Sequence, residues 1–161
     1  EDSQGLLQRI QTILWQNVSC VGALEGLSEG VSISSRGLKE CPDRLEGIRE
    51  VAFFDASVNS LREAPMSFLV NTAITLTTLD LSSNKLTEIP TSIDLLASLV
   101  TLRVDNNRIT SIPLTVRHLS ELETLSISNN RVTHLPGFLG QMDRLQHLNA
   151  TGNPIKHVPK E

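Results

Sequence analysis

Tyrosine is absent from the 161-residue sequence, and four phenylalanines with one tryptophan, Trp15, supply all its aromatic surface. So sparse a set leaves no platform on which bases could stack. A net charge of −4 likewise offers no general cationic field for phosphates or anionic lipid. Neither nucleic-acid binding nor membrane insertion is expected. Cysteine is as scarce: Cys20 and Cys41 stand at a spacing that suits neither a disulfide framework nor a zinc site. That usage fits a reducing, cytoplasmic setting. No apolar run reaches the length of a membrane-spanning helix, and no signal peptide is visible.

The motifs of catalysis are missing too. There is no phosphate-cradling glycine loop, no nucleophile elbow and no H-E-x-x-H pair. The stretch GFLGQ at 137–141 has two glycines but neither a preceding strand nor a third glycine. Acidic residues are scattered rather than paired on one face. The expectation is a segment that binds rather than catalyses, without cofactor or metal.

What the sequence does have is a period. Pro42, Pro65, Pro90, Pro113, Pro136 and Pro159 are separated by 23, 25, 23, 23 and 23 residues, and only Pro154 is out of phase. Six positions before five of these prolines stands an asparagine: Asn59, Asn84, Asn107, Asn130 and Asn153, with Arg36 in the earliest unit. Aliphatic residues fill the other fixed positions. Leu76, Leu79, Leu81, Leu86 and Ile89 recur as Leu99, Leu102, Val104, Ile109 and Ile112, and twice more downstream.

This L-x-x-L-x-L-x-x-N-x-L pattern resembles that of the leucine-rich repeat superfamily over residues 28–161, with one degenerate and five recognisable units. The 23-residue length and the I/L-P ending are similar to the intracellular, Ras-suppressor and Scribble-like class. The resemblance implies an α/β repeat solenoid, an arc with a parallel concave sheet and 3₁₀ or short helical segments on the convex side. The physics of the pattern agrees. Alternation with period two gives each unit a short strand, and units that cannot bury their apolar faces alone do so by stacking. The amide of each asparagine can satisfy backbone groups where the chain leaves the strand. Each proline suits the turn towards the convex side.

Residues 1–27 lie outside the repeat. Leu7, Ile10, Leu14 and Val18 form a stripe at helical spacing, expected as a helical cap on the first repeat or as a docking helix carrying Trp15. The two extra residues between Pro65 and Pro90, within MSFLVNTAIT, are expected as a tolerated loop or a contact point. The chain opens on Glu1 rather than Met and stops two residues after Pro159, so it is expected to be part of a longer protein.

Residues between the strand aliphatics are expected on the concave face in columns. The candidates there are Phe53, Asp55, Asp80, Arg103, Asp105, Ser126, His147 and Asn149. Arg103, between Asp80 and Asp105, either neutralises both in exposed pairs or helps orient a partner. A second column of Lys85, Arg108 and Arg131 is either a solvated edge or a site for an acidic peptide or phosphate. His134 and His157 share a further column, a pair short of a full metal ligand set. Two N-x-S/T sequons, at Asn17 and Asn149, would matter only in a secreted protein, and chance accounts for them. The leading functional expectation is a protein-interaction module or scaffold. The alternatives are the recognition arm of a signalling enzyme (phosphatase, kinase, GTPase-linked protein or ubiquitin ligase), or a secreted or host-facing receptor or effector.

Overall fold

The computed structural model describes residues 19–21, 30–41 and 50–157. Among the described residues, seven three-residue strands form one sheet in chain order: β1 (Ser19–Val21), β2 (Gly30–Ser32), β3 (Phe53–Asp55), β4 (Thr78–Asp80), β5 (Thr101–Arg103), β6 (Thr124–Ser126) and β7 (His147–Asn149). β1 runs antiparallel to β2, and β2 to β7 are parallel throughout. Of residues 1–27, expected to form a helical cap, 1–18 and 22–27 lie outside the described residues, and Ser19–Val21 is a strand.

The core follows from the alternation. The middle residue of β2 to β6 points inward, so Val31, Phe54, Leu79, Leu102 and Leu125 are all fully buried. On β7 the same position, Leu148, is 40 % exposed, because no described strand stacks beyond it. The aliphatics on either side complete the column: Leu76, Leu81, Leu86, Leu99, Val104 and Ile109 are each at most 2 % exposed. Burying one such side chain is worth about 1.5–3 kcal/mol, and the stacked units share one continuous core.

The asparagines bind each unit to the one before it. Asn107 donates its Nδ2 to the Leu81, Val104 and Asp105 carbonyls at 3.0, 3.0 and 3.1 Å, and its Oδ1 accepts from Leu86 N at 2.9 Å. Asn84 and Asn130 repeat the arrangement, with Oδ1 accepting from Leu61 N and Ile109 N at 3.0 Å. Asn59 and Asn153 do the same nearer the two ends. One flat amide, with donors on one side and an acceptor on the other, thus closes backbone groups of two successive units.

A second column accompanies this ladder. The residue before each asparagine takes a left-handed backbone: Val58 at φ 53°, Ser83 at 54°, Asn106 and Asn129 at 52°, Gly152 at 69°. The turn off the strand requires it, and serine, asparagine and glycine tolerate it. Val58 does not, since its branched Cβ crowds the following carbonyl.

Pro90, Pro113 and Pro136 each precede a five-residue 3₁₀ segment: Thr91–Leu95, Leu114–His118 and Gly137–Gln141. Their ψ values of 143°, 151° and 140° are extended, and their carbonyls accept from Ile93, Val116 and Leu139 N to start the turn. Pro42 and Pro159 lie outside the described residues.

Pro65 leads into something different. An α-helical turn, Met66–Leu69, runs directly into a 3₁₀ turn, Val70–Thr72. The expectation of a tolerated loop is therefore corrected. The two extra residues lengthen the helical segment and bring Phe68 and Leu69 into the core, with the Phe68 ring 4.7 Å from that of Phe54 at a tilt of 52°. Thr72 is fully buried, its hydroxyl donating to Leu69 O at 2.9 Å. The insertion packs through Phe68, Leu69 and Thr72, while Val70 and, most of all, Ile74 project into solvent.

Candidate functional site

Strand pairing sets the concave columns. Phe53, Thr78, Thr101, Thr124 and His147 are register partners along one, and Asp55, Asp80, Arg103, Ser126 and Asn149 along the next. Phe53, next to Gly30 of β2 in the first column, is 36 % exposed. At the C-terminal end of the sheet, Arg103, Thr124, Leu125, Ser126, Gln146, His147, Leu148 and Asn149 line a shallow depression of about 420 Å³. Gln146 and Leu148 were not visible as site residues in the sequence. Leu148 carries the pattern of a core leucine, and Gln146 stands one place before the strand, where alternation assigns no face.

The carboxylates of this face serve the turn that follows each strand. Asp80 Oδ1 accepts from the Ser82 amide at 2.9 Å and its hydroxyl at 2.6 Å. Asp55 accepts from Ser57 N at 2.8 Å and Ser32 Oγ at 3.0 Å. Burial alone would raise the Asp55 carboxyl, but hydrogen bonds from the Ser57 side chain and amide and from Ser32 and Ser34 outweigh it. Together they hold the group below the usual aspartate range.

Where the strand carries Arg103 instead, the acid moves two places on, to Asp105. Its Oδ1 accepts from Ser126 Oγ at 2.6 Å, Ser128 Oγ at 2.6 Å and Ser128 N at 2.8 Å, all on the next unit. The expected balance of Arg103 between two acids is thus corrected. Among the described residues Arg103 meets only Asp80, at 3.9 Å, with its own side chain 57 % exposed. A pair so open is worth well under 1 kcal/mol, which leaves the guanidinium available. Ser126 is 8 % exposed and its hydroxyl is committed to Asp105, so it shapes the floor rather than offering a free group. Asn149 Oδ1 accepts from the Thr151 amide and hydroxyl at 3.2 and 2.8 Å. His147 is exposed beside it.

Lys85, Arg108 and Arg131 stand apart from this group. They lie beyond the asparagine turn, with backbone amides bonded at 2.8 Å to Leu61, Leu86 and Ile109 carbonyls. All three are exposed, and among the described residues none takes part in an ion pair. The described residues contain no group of three or more His, Cys, Asp or Glu able to hold a metal ion, and no described helix is long and apolar enough to cross a membrane.

Residues 54–159 match the family model for a leucine-rich repeat region. The chain belongs to the leucine-rich repeat family. No curated protein matches it. Among solved structures, the leucine-rich repeat ectodomain of the receptor kinase SOBIR1 from Arabidopsis thaliana superposes with a TM-score of 0.69 at 23 % identity, covering 99 % of this chain and 98 % of that one. A Leptospira interrogans leucine-rich repeat protein gives 0.65 at 24 % identity, with this chain covering 38 % of its length. The plant peptide hormone receptor RGFR1, solved in complex with RGF2, gives 0.61 at 28 % identity over 71 % of this chain and 19 % of that one. For this leucine-rich repeat chain the likeness carries the fold. The side chains on its concave face are its own.

Proposed function

We propose that this chain is a protein-interaction module whose concave sheet receives a segment of a protein partner across its C-terminal strands. The observation that carries the reading is the open depression on β5 to β7. There the exposed Arg103 guanidinium, only loosely paired with Asp80, and the His147 ring stand beside partly exposed Leu148. A cation, a titratable ring and an apolar floor side by side suit a partner with an acidic residue next to an apolar one. That a structural neighbour is a plant peptide hormone receptor solved in complex with RGF2 is compatible with such a role. Partner capture with the wild type and with Arg103→Glu/His147→Asp tests it. Both substitutions are on exposed side chains, so folding is expected to be intact by circular dichroism. Specific loss of a bound protein from the double variant supports the concave site, and unchanged capture refutes it.

The lateral row is the second reading, favoured by the absence, among the described residues, of ion pairs at Lys85, Arg108 and Arg131. Strands about 4.8 Å apart hold these cations in a line fit for an acidic segment. Reversing all three to Glu separates this surface from the first. We also infer a cytoplasmic setting, motivated by the scarcity of cysteine. A glycan at Asn149 would stand on the concave strand β7, so a glycosidase-sensitive mobility shift in native material would overturn both that setting and an unobstructed concave site.

A further inference from the structure

His134 and His157 are one repeat apart and form a parallel bridge outside the main sheet. The backbone holds them there: Lys156 N donates to Thr133 O at 2.9 Å, and Leu135 N lies 3.5 Å from His157 O. Their rings are 5.2 Å apart, centre to centre, with planes at 25°. We propose that these two imidazoles form a chelating site for a Zn²⁺-class divalent ion, with water completing the coordination.

Two imidazoles on one tetrahedral ion, with Zn–N of about 2.0–2.1 Å, place their ring centres about 5 Å apart. The observed separation therefore needs no movement of the backbone. What must change is ring orientation, since planes at 25° do not aim both lone pairs at one point. Both side chains are exposed, and the terminal ring torsion of histidine has a broad minimum, so that turn is cheap.

The next layer of partners also fits. Thr133 Oγ1 lies 2.8 Å from His134 Nδ1. In the tautomer whose Nδ1–H donates to that hydroxyl, Nε2 carries the lone pair, and an outer partner of this kind orients a metal-binding histidine. Arg131 and Lys156, in adjoining columns, oppose a cation. Both are exposed, and solvent and salt screen them. The ion would cross-link the last two described units and raise their resistance to unfolding. It is independent of either partner-binding surface.

Calorimetric titration with ZnCl₂ in a non-chelating buffer near neutral pH tests the site. One ion per chain is expected, with a thermal midpoint that rises on adding zinc. Either His134→Ala or His157→Ala should weaken binding at least about tenfold and abolish the rise, and Thr133→Val should weaken it by about tenfold. His118→Ala, which removes the ring 3.7 Å from Asp94, and His147→Ala should leave the affinity unchanged. The proposal is overturned if either single variant of the pair binds as the wild type does, or if zinc binding is lost with His118 or His147 instead.

Discussion

Replacing Asn107 by alanine removes four hydrogen bonds from a side chain that is only 8 % exposed. Their loss is not equally costly. The Leu81 carbonyl keeps a bond from Asn84 Nδ2 at 3.1 Å, and the Val104 carbonyl keeps one from Asn130 at 2.9 Å. The group left without a partner is the buried Leu86 N–H, which costs about 1–3 kcal/mol. The space vacated by the amide adds roughly 1 kcal/mol, for a total of about 3 kcal/mol. Asn153 makes equivalent bonds at a half-buried position where water can replace it, so Asn153→Ala should cost only about 1 kcal/mol. Urea denaturation followed by far-ultraviolet circular dichroism compares the two. With a slope of about 2 kcal/mol/M, the midpoint should drop by about 1.5 M for Asn107→Ala and about 0.5 M for Asn153→Ala. Equal drops would refute the argument that the orphaned, buried N–H dominates. Asn107→Asp sharpens the test. It keeps the acceptor for Leu86 but turns a carboxylate towards three carbonyls, so its stability should fall as pH rises through the new group's titration.

Three further outcomes follow from the same contacts. Val58→Asn should stabilise the fold by about 1 kcal/mol, because asparagine tolerates φ 53° and the side chain is already 55 % exposed; a thermal midpoint that does not rise would count against strain there. Phe68→Ala should cost about 3–5 kcal/mol by emptying the space against Phe54, whereas Ile74→Ala, 87 % exposed, should change stability by under about 0.5 kcal/mol. Similar effects for the two would mean that the insertion is a loop after all. The Asp55 carboxyl is held below its unfolded value, so it contributes stability at neutral pH that is lost as pH falls below about 4 and through the folded value. Asp55→Asn should flatten that part of the pH–stability curve, and an unchanged acid limb would show that the serine hydrogen bonds confer nothing.

The proline spacing was enough to determine column membership, because in a stacked parallel sheet residue i meets residue i+23, or i+25 across the one insertion, whatever its side chain. Phe53 through His147, the asparagine ladder and the pairing of His134 with His157 in one column all follow from counting. Counting does not tell where a polar side chain turns once it is in its column. Arg103 ends one strand and Asp105 lies two places on in the turn, and only the folded arrangement shows the acid reaching forward to Ser126 and Ser128 while the guanidinium stays largely exposed. The left-handed backbone at Val58 escaped notice because valine's own preference is against it and the stacked turn overrides that preference. Phe68 escaped because an interruption of the period reads as a loop, whereas a helical turn can absorb the extra residues and bury a ring. The closeness of the two histidine rings is of the same kind. Shared register brings the backbones together, and the tertiary structure alone sets the 5.2 Å between the rings.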